Sequence, residues 1–528
     1  MTNKPAEIFN QYKHGIQYKS SLGKRGMYEQ NRINERFYIG DQWFGAKCGN
    51  ERPLVRHNVV KRIGDYKMSQ ILSRSPSVSF SADGIPVNNN IKIAKDTALD
   101  RNGDDIDLVT KAFGKYFNTT SERINFDSLQ ERVLRNSYVT GTGVLYTYWD
   151  SDIATGLYAD DLKTIKIKGD LCCQVLDIDD VYFGDVFEEN LQSQPYIIIA
   201  ANVKTDDVLR EARLYGADIS ALNSINECEI DGKITVLSKF FKEYKKDSGY
   251  TIKCIKVCEK GVIRPEFDTE LRLYPFSVFV WERKNNAAYG ESEITYQIPN
   301  QIAINRMITA NVWSAMTTSM PIMVVNGDTV TEKITNEPGQ IVKVYGSNED
   351  VTGAISYVSP PASLNGYDDS INTLINNTLT QCGANEVALG DARPDNATAL
   401  LTMRESALMP LQIAKNRFYN FIEETARIWA EFWVTKYGKR KIKIFDDNGT
   451  WYLPFNGELY KDLLISTKVE FADSTDYSEK ERINSLLLLF EKGVITREEL
   501  IERLPESILR DKKNLLSRYK EETQNDGE

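Results

Sequence analysis

Apolar residues recur along this chain at helical and strand spacings in turn, and each change of spacing marks a new element. The clearest stripe runs through Leu411, Ala414, Phe418, Phe421, Ile422, Thr425, Ile428, Trp429 and Phe432, three and four residues apart, which is one face of a helix. Asn396 suits an N-cap, and Gly438 before Lys439-Arg440-Lys441 suits a C-terminus. A single helix over 397–437 would be roughly 60 Å long at ~1.5 Å per residue, a spine crossing from one domain to another. Pro410 lies inside it, so a kink is expected between Ser406 and Pro410. The run 385–395 before it is rich in structure breakers and predicts an irregular loop.

Upstream, Tyr28 to Ile39 reads as a helix stopped by Gly40, and Val59 to Leu72 as another, broken by Ser75-Pro76 before a short strand through Val78 and Phe80. Asp96 to Arg135 is mostly helical, with Phe113, Tyr116 and Phe117 on its apolar side. Strands follow at Tyr196 to Ala201, Ile234 to Tyr244, Tyr250 to Val257 and Leu271 to Trp281, with a helix at Val203 to Ala212. This is a mixed α/β region. A helix then runs to about Ser319, with Ile304, Met307, Ile308, Asn311, Val312 and Ala315 on one face and Pro299 in its first turn. Small strands with turn signals fill Ile322 to Pro361, and a second helix covers Tyr367 to Cys382. Beyond the spine come strands at Lys441 to Phe445, Thr450 to Leu453 and Leu464 to Phe471. Capping boxes at Ser478 to Glu481 and Thr496 to Glu499 open two last helices.

Composition narrows the classes. At 528 residues the chain is too long for one ordinary core. No uncharged apolar run reaches the ~20 residues of a membrane helix, and the start lacks a secretion signal, so synthesis in a cytoplasm and no membrane are expected. Seven cysteines and two histidines give no zinc or disulfide framework. A net charge of −10 opposes a surface that grips nucleic acid throughout.

Three features invite a chemical reading. Gly141 and Gly143 follow a helix and lead into a strand, the reverse of a phosphate-binding loop. Asp177, Asp179, Asp180 and Asp185 crowd one window but lack calcium-loop spacing, which predicts a solvated turn. No nucleophile elbow, acid/base histidine or Walker lysine is present, so no enzyme activity, metal or cofactor is expected.

The succession of elements is the informative signal. Phe37-Tyr38, Gly40-Asp41-Gln42-Trp43, then Pro53 and Asn58, together with Tyr289-Gly290-Glu291-Ser292 and Pro394 to Leu400, resemble the portal proteins (head-tail connectors) of tailed double-stranded DNA bacteriophages. The resemblance covers about Tyr28 to Phe471 and implies an α+β multidomain portal fold. Its parts would be an α/β wing (1–288), a first stem helix (289–320), a small β-rich clip (321–362) and a second stem helix (363–382). A tunnel loop (383–396), the wing's long kinked spine helix and strands (397–472) and a short helical crown with the tail (473–528) would complete it. It also implies a ring, twelve-fold, at one capsid vertex of the virion. That ring would nucleate head assembly with the major capsid and scaffolding proteins, pass double-stranded DNA in and out, and receive the terminase large subunit and then the neck adaptors. Another ring component of the virion neck is the runner-up reading; the family's adaptors are much shorter. A nucleic-acid enzyme with degenerate motifs is the third, opposed by the acidity.

The resemblance places Asn385, Glu386, Gly390, Asp391, Arg393 and Asp395 at the channel's narrowest point, with Gly383 and Gly390 giving flexibility. On the second stem helix, Asn372, Asn376, Asn377 and Thr380 form an uncharged polar face that fits either plain solvent or the channel wall.

Overall fold

The structure, a computed structural model, describes residues 4–46, 53–73, 76–81, 104–158, 166–245, 249–318, 322–328, 355–358, 365–384, 409–446, 449–457, 466–471 and 476–504, with isolated positions in 330–345 and at 515. It begins with helices α1 (Lys4–Ser21), α2 (Met27–Ile39) and α3 (Val59–Ile71), strand β1 (Pro76–Ser81), and helices α4 (Asp104–Ile124) and α5 (Phe126–Thr140). Local chemistry sets the ends. Gly40 closes α2 in the left-handed conformation. Asn58 opens α3, its Oδ1 accepting from the Lys61 N–H while its Nδ2 donates to the Tyr38 carbonyl.

Next come β2 (Thr142–Tyr158), β3 (Lys166–Leu176), β4 (Val181–Phe183), β5 (Tyr196–Lys204), helices α6 (Thr205–Leu214) and α7 (Ile219–Asn226), then β6 (Lys233–Lys245), β7 (Gly249–Val257), β8 (Val262–Asp268) and β9 (Phe276–Val280). They make two sheets, ordered β3-β2-β9 and β4-β5-β6-β7-β8. All their pairings are antiparallel. The region expected as α/β is therefore α+β, built on meanders rather than on parallel crossovers. Gly141 caps α5 with φ 89°, and a Cβ there would lie 2.6 Å from the Gly290 carbonyl oxygen. The glycine lets two backbones touch.

The chain continues through α8 (Glu293–Thr318), β10 (Ile322–Val325), β11 (Ile355–Val358), α9 (Asn365–Gln381), α10 (Gln412–Lys436), β12 (Lys439–Asp446), β13 (Gly449–Asn456), β14 (Ser466–Phe471), α11 (Asp476–Glu491) and α12 (Arg497–Arg503). The longest apolar stripe of the sequence becomes the centre of the main core. Trp429 of α10 meets Phe117 at 4.8 Å and Phe126 at 5.0 Å, and Trp433 meets Phe113 at 5.4 Å. Strand β14 pairs with β1, Val78 opposite Val469. So the expected domain-crossing spine is, in its described part, a core helix about 38 Å long, shared with the N-terminal elements. Pro410 stands in a 3-10 turn, Met409–Leu411, that precedes α10 and does not interrupt it; residues 397–408 lie outside the described residues.

Two smaller expectations change. Pro299 lies inside α8, six residues beyond its start, because the Ser292 hydroxyl accepts from the Ile294 N–H and starts the helix earlier. Helix α11 begins two residues before Ser478, whereas the Thr496–Glu499 capping box forms as expected. The aspartate window is the turn expected, with Asp177, Asp180 and Asp185 exposed, and its backbone has a further role. Ile178–Asp180 folds as a 3-10 turn over the buried Lys19 ammonium, which donates to the carbonyls of Ile178 (2.6 Å), Val181 (2.7 Å) and Asp179 (3.0 Å). The Tyr182 ring centroid lies 3.9 Å from it. Burial pulls Lys19 down to about 7, against Asp179, Asp180 and Asp177.

On α10, burial pushes the Glu424 carboxyl up to about 7, only partly offset by Gln192, whose Nε2 is 3.5 Å from it. A folded-state value raised above the unfolded one gives stability that is present below the unfolded value and lost as pH rises through the folded one. Glu424→Gln is therefore expected to be more stable than the parent at pH 8 by roughly 1–3 kcal/mol, with the gap closing below about pH 5. Urea unfolding at the two pH values measures it; equal stability at pH 8 would refute it.

Candidate functional site

Helices α8 and α9 form an antiparallel hairpin whose tip carries the two-stranded β10–β11 sheet, Val324 opposite Ser356. Between the helices Ile304, Ile308, Leu374, Ile375 and Leu379 pack together, joined by Val59 and Ile63 of α3. Two polar ties cross the seam. Asn300 Nδ2 donates to Thr378 Oγ1 at 3.3 Å and Asn311 Nδ2 to Asp368 Oδ1 at 2.6 Å.

The inner side of α8 is polar at every fourth position. Glu293, Gln297, Gln301 and Asn305 are all buried, and Thr309 extends the row. Such spacing puts them on one face. Gln301 Oε1 accepts from the Val59 and Val60 N–H groups at the start of α3, at 3.0 and 3.3 Å. Its Nε2 donates to the His57 carbonyl at 2.7 Å and to Asn305 Oδ1 at 3.0 Å. Asn305 Oδ1 also accepts from the His57 N–H, while its Nδ2 donates to Gln42 Oε1 at 2.6 Å. These amides bond the backbone at the start of α3 and of the segment before it, which has no strand or helix among its described residues. The sequence carried the signal as a four-residue polar period, masked by the apolar face chosen for this helix. Ala315 of that face is exposed.

At the root of the hairpin Glu293 pairs with Lys67 of α3 at 2.5 Å and accepts from Trp281 Nε1 at 2.9 Å and Gln297 Nε2 at 3.1 Å. Tyr138 donates to Gln297 Oε1, and Gln297 Nε2 reaches Cys382 Sγ at 3.4 Å. Burial, with Glu293 beside it, pushes the Cys382 thiol up to about 11.

Helix α9 ends in a Schellman motif: the Ala384 N–H donates to the Leu379 carbonyl and the Gly383 N–H to that of Thr380. Gly383 is left-handed at φ 71°, and a Cβ there would meet Pro410 Cβ at 3.2 Å. Gly383 stands as the left-handed cap of α9. Asn385, Glu386, Gly390, Asp391, Arg393 and Asp395 lie outside the described residues.

The outward face of α9 is where the sequence placed it. Asn372, Thr373, Asn376, Asn377, Thr380 and Gln381 are all exposed, and no charge interrupts them. Lys and Arg are absent from α9, and its acidic residues, Asp368 and Asp369, sit at its start. Such a face offers hydrogen bonds without a fixed charge. Among the described residues no group of three or more His, Cys, Asp or Glu could hold a metal ion, and no helix is long and apolar enough to cross a membrane.

Compared with known proteins, the chain matches no family model and no curated protein.

The two amide faces should respond differently to substitution. Gln301→Leu takes the partner from the Val60 N–H and one of two partners each from the Val59 N–H and the His57 carbonyl, which keep their bond to each other, and is expected to cost about 1–3 kcal/mol. Asn376→Ala, on the outer face, should change stability by less than about 0.5 kcal/mol. Equal costs in urea unfolding would refute the inward and outward division.

Proposed function

We propose that this chain is the portal protein of a tailed double-stranded DNA phage. Its copies would form a ring, a dodecamer by family resemblance, at one capsid vertex of the virion, through which the genome enters and leaves. The observation that carries the reading is the uncharged, exposed outer face of α9, opposite the side that packs against α8. Lysines or arginines facing a duplex would bind each phosphate by charge and by release of counterions, and would hold it. Neutral amides leave it free to move. Twelve chains at −10 each would add a strongly negative field that further opposes static binding.

Further support comes from the order of elements: a helix, a small antiparallel insert, a second helix, then a helix in the core of the region that precedes them. In this reading α8 and α9 are the stem, the β10–β11 insert is the clip that receives the terminase large subunit and later the neck adaptors, and residues 383–396 are the tunnel loop. Major capsid and scaffolding proteins contact the outer ring during head assembly. The energy for DNA movement comes from the terminase, and this chain supplies the conduit.

Native mass spectrometry with two-dimensional particle averages tests the ring: closed particles of about twelve subunits with a central hole are expected, and solid particles under assembly conditions would overturn it. The wall is tested separately. Asn376→Lys with Asn377→Lys should leave rings intact yet slow DNA packaging strongly at low salt, with recovery as salt screens the added charge. Unchanged packaging at low salt would remove α9 from the channel wall.

A further inference from the structure

Away from the hairpin, a second feature stands at the edge of the five-stranded sheet. Cys228 follows the end of α7, its N–H donating to the Ile225 carbonyl at 3.0 Å, and Cys258 begins the turn from β7 to β8, its N–H donating to the Gly261 carbonyl at 2.9 Å. The two turns face each other. Lys260 Nζ lies 2.9 Å from Glu227 Oε2, and a Cβ on Gly261 would lie 2.8 Å from Ile225 Cγ1 and 3.6 Å from Cys258 Sγ. Cys258 is buried with Val208, Ala212, Ile225, Ile234 and Ile263, while Cys228 packs on that cluster from its half-buried rim. Both side chains thus border the same small cluster, with Ile225 and Gly261 between their two turns. Each also donates to a carbonyl of its own turn, Cys228 to Ser224 at 3.4 Å and Cys258 to Gly261 at 3.5 Å. The other described cysteines lie elsewhere: Cys172 and Cys173 on β3, Cys254 within β7 in a different core cluster, and Cys382 at the end of α9.

We infer that Cys228 and Cys258 are an oxidisable dithiol, which a low-molecular-weight disulfide converts into a bond stapling the end of α7 to the β7–β8 turn. The partly exposed Cys228 thiolate attacks one sulfur of the reagent, forming a mixed disulfide and expelling one thiolate. The Cys258 thiolate then attacks the Cys228 sulfur, forming the Cys228–Cys258 bond and expelling the second. The two protons lost from the protein thiols go to the two expelled thiolates, so one disulfide is reduced as one is made. Burial, and next the neighbouring Cys228, push the Cys258 thiol up to about 11, which makes the second step the slow one near neutral pH. The chemistry requires these two residues alone and does not depend on ring formation. A chain that is made in a reducing compartment and later meets an oxidising one would acquire the staple only after folding.

The test treats the reduced full-length chain with oxidised glutathione and follows intact mass and peptide maps. Wild type is expected to become lighter by two hydrogens, with a cross-linked Cys228–Cys258 peptide, at a closing rate that rises about tenfold per pH unit from pH 7.5 to 9.5. Cys258→Ser should instead keep one glutathione on Cys228, and Cys228→Ser should give neither product at Cys258. A wild-type chain that retains glutathione on Cys228, or one that cross-links only at Cys172 and Cys173, overturns the assignment.

Discussion

Two opposite charges buried at the root of the α8–α9 hairpin set conditions that every neighbouring element has to meet. Lys67 and Glu293 are each about one-tenth exposed, and a buried charge that loses its partner costs several kcal/mol. The pair is tolerable only because Trp281 and Gln297 also donate to the carboxylate. Those donors pass the constraint on. Trp281 follows β9, and its carbonyl accepts from Arg417 of α10; Gln297 accepts from Tyr138 of α5 and reaches Cys382 at the end of α9. One network thus fixes the core helix, the first stem candidate and the end of the second relative to one another.

That rigidity explains why similar side chains have opposite roles on the two hairpin helices. The amides of α8 face the backbone at 57–60, where they give the buried Val60 N–H its partner and second partners to the Val59 N–H and His57 carbonyl, so Gln301 and Asn305 are held by several bonds each. The outer amides of α9 are exposed. An uncharged polar surface that is long, continuous and firmly mounted is unusual for a solvent face, where charges interspersed with amides serve solubility as well. Its uniformity is the physical reason for reading it as a wall past which a polyanion moves.

How much of this was legible in the sequence depended on the range of the interaction. The apolar period of α10 predicted most of its buried side, from Leu411 to Phe432, because a helix turns its own neighbours to one face; Ala414 is only half-buried, and Ala426, Ala430 and Trp433, outside the stripe, are buried too. Thr496 and Glu499 predicted their capping box for the same local reason. The pairing of β1 with β14 could not be read, since Val78 and Val469 meet across most of the chain and neither strand's pattern names its partner. Lys19 was invisible for a related reason: what buries it is the turn 178–181, more than 150 residues away. The outer face of α9 was visible as composition. The inner row of α8 is present in the sequence as a four-residue polar period, but a polar stripe carries no local sign that it is the buried one.

The position of Gly383 carries the argument one step further. Its left-handed cap ends α9, and its open side is filled by Pro410, the residue that leads into the core helix. The described chain on either side, Ala384 and Met409, is therefore held at one small region, beside Cys382 and the Glu293 network. That root contains a buried ion pair and a left-handed helix cap packed against Pro410, so the hairpin and the core helix meet there through packed, partnered groups. In the reading proposed above, a force arriving at this root would be shared by both elements.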